Sequence, residues 1–277
     1  MRIYIICAII LFCLPAFAQE IEISGDFYHG GVMVLDIKAQ EADRAVIMWQ
    51  SKTVNIIPSC ARNMCSAKVL LPLDYDSPGV FSLKVDLYYN SKHFFRHQEK
   101  VTVNNKAYDI RKLTVDSQYV QVSQENANRS AKERVLTVEA LNYFSSERMW
   151  ELPFTKPRDT IVTSPFGLKS MFNGESRSRH GGTDFRSAVG DPVLSSSNGT
   201  VILAGDFYFA GNSVYIDHGQ GVVSMYFHLS EILVETGQTV AAGDLIAKSG
   251  ATGRITGPHL HFGVAVQGVL IDPDALF

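Results

Sequence analysis

Alternating apolar and polar residues dominate most of the chain and predict mainly β structure. In the N-terminal part, the alternation is clearest from Gly79 to Tyr89, directly after a turn sequence at 76–79. The other strand candidates of this part are 31–37, 45–49, 69–73 and 101–103. About seven short strands within roughly ninety residues are typical of a two-sheet sandwich. We therefore predict that residues 19–105 form an immunoglobulin-like β-sandwich without catalytic residues.

Residues 106–160 interrupt this pattern and are predicted to form a connector with one helix. From Ser130 to Phe144 the apolar residues recur at nearly helical spacing, and charged residues gather at the start of this segment. A connector in this position is expected to set the angle between two domains or to cover a groove. The sequence thus predicts intramolecular regulation by the N-terminal region or the connector.

From residue 161 to residue 277, short apolar runs alternate with glycine-rich turns. The strand candidates are 200–204, 213–217, 222–228 and two strands within 234–247. Short strands joined by tight turns predict an antiparallel sheet, here with a groove whose floor carries histidines. The fold class predicted for the whole chain is mainly β: a sandwich, a helical connector and a C-terminal antiparallel sheet domain.

Residues 1–18 have the features of a secretory signal peptide. Arg2 precedes an apolar run at 3–14, and Ala16–Ala18 is a small-x-small cleavage site. The run is too short to cross a bilayer comfortably, and no later stretch is long and apolar enough to do so. We therefore expect an exported protein without a membrane span in the mature chain, located in the periplasm or, alternatively, secreted.

Export also determines how the cysteines and the charge are interpreted. Cleavage after residue 18 would leave Cys60 and Cys65, and a close pair in an oxidising compartment predicts a disulfide that closes a hairpin or loop. The formal net charge is −3. A nearly neutral chain gives no reason to expect a nucleic-acid partner.

Two histidines separated by one residue, His259 and His261, mark the chemistry of the C-terminal part. A Thr-Gly-Pro sequence precedes them and an apolar run follows, so both are expected on a strand, where alternate side chains point to the same face. Upstream, His180 and Asp184 flank two glycines, which indicates a loop that enters a strand.

Together, His180, Asp184 and His261 offer two imidazole nitrogens and one carboxylate oxygen. One zinc ion accepts such a set, and three protein ligands leave its fourth position open, as in catalytic sites. The alternative for any single histidine is a surface or core position without a ligand role. That alternative is adopted for the isolated His29, His93 and His97, which are expected to be solvated, and His218 is expected to be structural.

The order of these motifs resembles a known family. His180-x-x-x-Asp184, Tyr226-x-His228-Leu229, Val240-x-x-Gly243 and Gly257-Pro258-His259-x-His261 follow one another along residues 160–277. This succession resembles the lysostaphin-type (LytM-like) zinc metallopeptidases, which cut peptide bonds of bacterial peptidoglycan. A weaker resemblance links the N-terminal half to non-catalytic parts of exported members from bacteria with two membranes.

The resemblance implies one zinc ion on His180, Asp184 and His261, with His228 and His259 as catalytic histidines that do not bind the metal. Zinc would polarise the scissile carbonyl and acidify a water molecule, and the two imidazoles would move protons or stabilise the oxyanion. The sequence does not assign the general base to either histidine. Tyr226 is expected either to line the groove with His228 or to pack in the core.

The implied function is hydrolysis of peptidoglycan stem-peptide cross-links, expected at the bond between D-alanine and diaminopimelate. Glycine bridges and the trimming of uncrosslinked stem peptides are alternatives. A second class of function is a catalytically masked module that binds the cell wall or activates an amidase. A carrier of lipoyl or biotinyl groups is rejected, because Lys248 does not lie at a hairpin tip.

Overall fold

The computed structural model describes residues 19–113, 122–172 and 175–277 of the chain, so the predicted signal peptide lies outside the described residues. The prediction of a mainly β fold is confirmed: the described part contains one α-helix, one short 3-10 turn and otherwise strands. Within this part, no helix has the length and hydropathy that crossing a bilayer requires.

Eight strands form the N-terminal sandwich. They are β1 (Glu20–Ser24), β2 (Val32–Gln40), β3 (Arg44–Trp49), β4 (Lys52–Ile56), β5 (Ser59–Ala61), β6 (Met64–Pro72), β7 (Gly79–Tyr89) and β8 (Lys92–Val103). One sheet has the order β1-β2-β6-β5 and the other has the order β4-β3-β7-β8. These orders match the two sheets of an immunoglobulin-type sandwich, with one additional strand beside the third.

Inward-facing apolar residues explain why these segments fold as strands. Along β2, the alternate residues Met33, Leu35, Ile37 and Ala39 are all buried in the core between the two sheets. At the end of β3, the indole of the buried Trp49 donates a hydrogen bond of 2.7 Å to the carbonyl of Pro72. A disulfide joins Cys60 on β5 to Cys65 on β6 and ties a short edge strand to its neighbour.

The prediction of a solvated His29 is wrong. His29 is 7% exposed, and its two ring nitrogens face the backbone carbonyls of Tyr75 and Lys106. The aromatic rings of Tyr75 and Tyr108 pack against it. His93 and His97 do lie towards the surface, and each contacts a carboxylate of the sandwich.

The connector contributes one strand and the helix. Strand β9 (Ile110–Leu113) leaves the sandwich, and helix α1 (Gln124–Leu141) follows it. The helix begins six residues before the predicted start, because the side chain of Ser123 caps it by accepting a hydrogen bond from Asn126. Only Ala140 of the helix is buried. Arg129 and Glu133 hold it to the C-terminal domain through polar contacts.

The C-terminal domain is a set of short antiparallel strands. They are β10 (Val162–Ser164), β11 (Lys169–Phe172), β12 (Glu175–Arg179), β13 (Thr183–Arg186), β14 (Pro192–Leu194), β15 (Gly199–Phe207), β16 (Gly211–Asp217), β17 (Val222–Ile232), β18 (Thr239–Val240), β19 (Leu245–Ser249), β20 (His259–Val266) and β21 (Val269–Ile271), before a 3-10 turn at Pro273–Leu276. The main sheet has the order β10-β13-β20-β17-β16-β15-β18. A separate small sheet, β12-β11-β9, includes the strand from the connector.

The sandwich and the C-terminal domain share an apolar interface. Val32 and Leu70 of the sandwich belong to the same buried cluster as Trp150 and the core of the C-terminal sheet. Next to this cluster, the carboxylate of Asp272 accepts hydrogen bonds from Tyr28 and from Lys106 of the connector. The two domains therefore pack as one body through both apolar and charge-assisted contacts.

Candidate metal centre

Two neighbouring strands of the main sheet place three of the predicted site residues. Strands β13 and β20 are antiparallel, and Asp184 lies directly opposite His261 while Arg186 lies opposite His259. Directly opposed residues of a sheet project from the same face. His259 precedes His261 by two residues, so it shares that face as well. The strand placement of the two histidines is as predicted.

His180 completes a compact triad with Asp184 and His261. Nε2 of His180 lies 3.0 Å from Nδ1 of His261 and 2.9 Å from Oδ1 of Asp184. Nδ1 of His261 lies 2.9 Å from the same carboxylate oxygen. These three side chains form the one group of potential metal ligands with converging donor atoms that is found among the described residues.

The hydrogen bonds around the triad show that its donor set suits a cation. Nδ1 of His180 donates to the carbonyl of Pro165 at 2.9 Å, which leaves the lone pair of Nε2 directed at the other two side chains. A carboxylate oxygen and a second imidazole nitrogen point to the same place. Three electron-rich atoms in a half-buried position form a favourable cluster when they share a divalent ion.

The charge state of the triad also favours metal binding. Burial disfavours the anion of Asp184, but hydrogen bonds to His180 and His261 outweigh it and hold the pKa of Asp184 well below its usual range. Burial lowers the pKa of His261. For His180, burial works in the same direction, but the hydrogen bond to Asp184, the charge of Asp184 and the hydrogen bond to Pro165 together outweigh it and raise the pKa of His180. These shifts favour the carboxylate of Asp184 and the neutral imidazole of His261, which are the forms that bind metals. At His180, a proton competes with the metal for the imidazole.

His228 reaches the site by an unusual backbone conformation. On β17, Phe227 lies opposite His261 and stacks on its ring at 5.1 Å. Regular alternation would turn the next residue, His228, to the other face. His228 instead has a φ of 64°, which breaks the alternation, and its ring lies 4.9 Å from that of His259.

Hydrogen bonds orient the rings of both additional histidines. Nδ1 of His228 donates to the carbonyl of Thr252 at 3.0 Å, and Nδ1 of His259 donates to the carbonyl of Gly257 at 2.9 Å. Each ring therefore keeps Nε2 as its available proton acceptor. Burial, together with the nearby His261, lowers the pKa of His228 to about 4, so this imidazole is neutral at pH 7.

Two other motif residues lie in the core instead. Tyr226 is fully buried, and its hydroxyl accepts a hydrogen bond from the backbone of Ser196, which supports the packing alternative and excludes a place in the groove. His218 is also fully buried, between the carbonyl of Asn198 and the hydroxyl of Ser224. Burial lowers its pKa to about 4, as expected for a neutral structural histidine.

Gly182 sits where any larger residue would disturb the triad. A Cβ atom at this position would lie 2.3 Å from the carbonyl oxygen of Phe262 and 2.8 Å from Nε2 of His261. We expect Gly182→Ala to push β13 from β20 and to weaken binding of a divalent metal by about tenfold to a hundredfold, as for other losses of ligand support. Competition with a chromogenic chelator measures this affinity.

Gly257→Ala is the matched control for this change. No atom lies within 4 Å of a Cβ at Gly257, although this residue is close in sequence to His259. Its affinity for the metal should equal that of the unchanged protein. Equal affinities for all three proteins would contradict the steric explanation of Gly182.

Sequence reasoning missed the backbone groups that orient the site. The carbonyls of Pro165, Thr252 and Gly257 each fix one imidazole, yet a carbonyl is present at every residue and leaves no mark in a sequence. Arg111 of the connector, whose charge acts on His180, was missed as well. Its position follows from strand pairing across distant segments, which no local pattern reveals.

Fold and site together define a mainly β protein whose C-terminal sheet presents a His-Asp-His triad and two further histidines on one face. Residues 178–273 match peptidase family M23. Residues 178–273 therefore form a peptidase family M23 (LytM-like) domain, which confirms the predicted family for this segment.

Named relatives share this domain. Peptidoglycan DD-endopeptidase ShyA of Vibrio cholerae is 48% identical over 89 residues, which are 32% of this chain and 21% of that protein. ShyB of the same organism is 47% identical over 93 residues, which are 34% of this chain and 22% of that protein. The segment of this chain that matches thus covers about a fifth of the length of each relative.

A solved structure resembles most of the chain. A crystal structure from Pseudomonas aeruginosa, assigned to peptidase M23, has a TM-score of 0.68 and 29% sequence identity to this protein. The match covers 91% of this chain and 95% of that one. The similarity of fold therefore extends beyond the M23 domain and includes the N-terminal sandwich.

Proposed function

We propose that this protein is an exported zinc metallopeptidase that hydrolyses peptide cross-links of bacterial peptidoglycan. The observation that carries the proposal is the convergence of His180, Asp184 and His261, with two more histidines on the same face. The M23 match and the endopeptidase names of the relatives support the same reaction class. The signal peptide predicted at residues 1–18 supports action outside the cytoplasm.

In this proposal, His180, Asp184 and His261 would hold one zinc ion through the converging atoms Nε2, Oδ1 and Nδ1. A bound zinc ion supplies polarisation of the scissile carbonyl and a water molecule of lowered pKa. The carbonyl of Pro165 keeps the ring of His180 in the tautomer that presents Nε2. The stack of Phe227 on His261 restricts the orientation of the second imidazole ring.

His228 and His259 are proposed to move the protons of the reaction. Peptide hydrolysis removes a proton from the attacking water and delivers one to the leaving amine. His228 is neutral at pH 7 and has an available Nε2, so it suits the first transfer. His259 presents the same nitrogen beside it, and either ring is able to donate to the oxyanion or to the amine once it is protonated.

The proposed target is the bond between D-alanine and diaminopimelate in cross-linked stem peptides. The relatives ShyA and ShyB are named DD-endopeptidases, and the predicted signal peptide agrees with a substrate outside the cytoplasm. Cleavage of this bond separates two stem peptides and leaves both glycan strands intact. Glycine bridges and terminal trimming of stem peptides give products of different mass.

Removal and return of the metal test the proposal. The chain from residue 19 onward, incubated with purified sacculi, should release separated stem peptides that mass spectrometry identifies. Treatment with a zinc chelator should stop the release, and added Zn²⁺ should restore it. Cell-wall binding without any change in the muropeptides, with and without zinc, would refute the proposed enzyme and favour a binding or activating module.

The connector is further proposed to limit access to the groove. Arg129 of α1 bridges Glu133 and Asp206, and Glu133 also accepts a hydrogen bond from the backbone of Tyr208. Breaking this polar contact with Arg129→Ala should loosen the helix and increase the rate of sacculus hydrolysis by the full mature chain. An unchanged rate, measured at equal zinc content, would argue against control by the connector.

A further inference from the structure

The small sheet β12-β11-β9 places a positively charged residue of the connector at the edge of the metal centre. His180 follows β12 directly, and its backbone N–H still bonds to the carbonyl of Leu168 at the start of β11. On the other side of β11, the connector strand β9 pairs in parallel and places Arg111 opposite Ser170. The connector is therefore part of the wall beside the triad.

The register of this sheet determines which face Arg111 occupies. Arg179 faces the sandwich, because its guanidinium contacts Asp76 at 2.6 Å and stacks on Tyr75. Lys169 lies opposite both Arg179 and Ile110, so Ile110 shares the face of Arg179. Successive side chains alternate. The next residues, His180 and Arg111, therefore share the opposite face, which is the face of the metal centre.

Arg111 has the features expected of an anion-binding residue. Its side chain is exposed, and within the described residues it takes part in no ion pair or hydrogen bond. Only strand β11 lies between it and strand β12, which leads directly into His180. Arg179 of the same sheet is already paired with a carboxylate. An unpaired guanidinium beside a reaction centre suits a carboxylate ligand.

We propose that Arg111 determines specificity by binding a free carboxylate of the substrate beside the scissile amide. In a D-alanyl-diaminopimelate bond, the carbon attached to the amide nitrogen also carries a free carboxylate. Oligoglycine bridges have no such group. A guanidinium binds a carboxylate through two parallel hydrogen bonds, so it also fixes the orientation of the scissile bond. This inference rests on the proposed peptidase function.

Two synthetic dimers of stem peptides test the inference with the full mature chain loaded with zinc. The dimers are identical except that one has the free carboxylate next to the scissile amide and the other has a carboxamide there. A charge-assisted hydrogen bond that forms with one dimer only should make kcat/KM of the unchanged protein about tenfold to a hundredfold higher for the carboxylate dimer.

Arg111→Gln should reduce kcat/KM for the carboxylate dimer by the same factor and leave the carboxamide dimer unaffected. Lys112→Gln is the matched control: it removes the same charge from the next residue of β9, on the opposite face of the sheet. This control should keep the full preference. Equal values for both variants on the carboxylate dimer would show a general charge effect and overturn the inference.

The outcomes separate this inference from the proposed function. Hydrolysis of both dimers at equal rates by the unchanged protein, or a preference that survives in Arg111→Gln, would overturn the role of Arg111 and leave the peptidase function standing. A zinc-loaded protein that cleaves neither dimer would overturn the proposed function and this inference together.

Discussion

Substitution of a triad ligand is expected to remove both the metal and the activity. His261→Ala leaves two of the three triad residues, His180 and Asp184. Bound zinc lowers the pKa of the attacking water from 15.7 to about 7. Without zinc this activation is lost, so hydrolysis should fall by at least about a thousandfold. Zinc content by inductively coupled plasma mass spectrometry and release of stem peptides from sacculi measure the two effects.

Two further variants make this result interpretable. Asp184→Asn keeps the shape of the side chain but removes its charge, so it should lose zinc without creating a cavity. His93→Ala makes the same change as His261→Ala at an exposed position of the sandwich, and it should keep full zinc content and activity. Stoichiometric zinc and more than about a tenth of the activity in both ligand variants would contradict the assigned triad.

Loss of either additional histidine should separate catalysis from metal binding. His228→Ala and His259→Ala each remove a group that we propose to transfer a proton, and such groups contribute about a hundredfold to ten-thousandfold to the rate. Both variants should keep zinc, because neither ring belongs to the compact triad. The fall should therefore appear in kcat, with KM for a defined dimer nearly unchanged.

The two variants also test the assignment of roles. Nε2 of His259 lies 3.7 Å from Oδ1 of Asp184, so a metal role for His259 is the nearest structural alternative. Loss of zinc in His259→Ala would show that this histidine is a ligand. Full kcat in His228→Ala would instead exclude His228 from proton transfer.

The sequence predicted those parts of the site that depend on strand periodicity. His259 and His261 alternate on one strand, and the glycines before Asp184 mark the entry to the next one. Both arrangements follow from local geometry, so a single sequence contains them. The pairing of β13 with β20 was not predictable in this way, because it joins segments far apart in the chain.

His228 shows where periodicity fails. Alternation along β17 groups His228 with Tyr226, yet Tyr226 is buried in the core and His228 lies beside His259. The cause is one positive φ angle, stabilised by a hydrogen bond from its N–H to the carbonyl of Ala210. Tertiary contacts impose this conformation on a residue that rarely adopts it, so sequence propensity gave no sign of it.

The remaining differences concern polar segments. The first turns of α1 are polar and carry no apolar period, so only the cap at Ser123 marks the true start of the helix. His29 was expected at the surface because it has no partner nearby in sequence. The carbonyls that hold it come from Tyr75 and Lys106, which are distant along the chain.

The pairing of β9 with β11 has a consequence for any attempt to produce the C-terminal domain alone. A fragment that starts at residue 161 would expose the bare flank of β11, and an unpaired strand flank invites self-association. Minimal versions of the module should therefore carry residues 110–113 along, either by linkage in cis or as an added peptide.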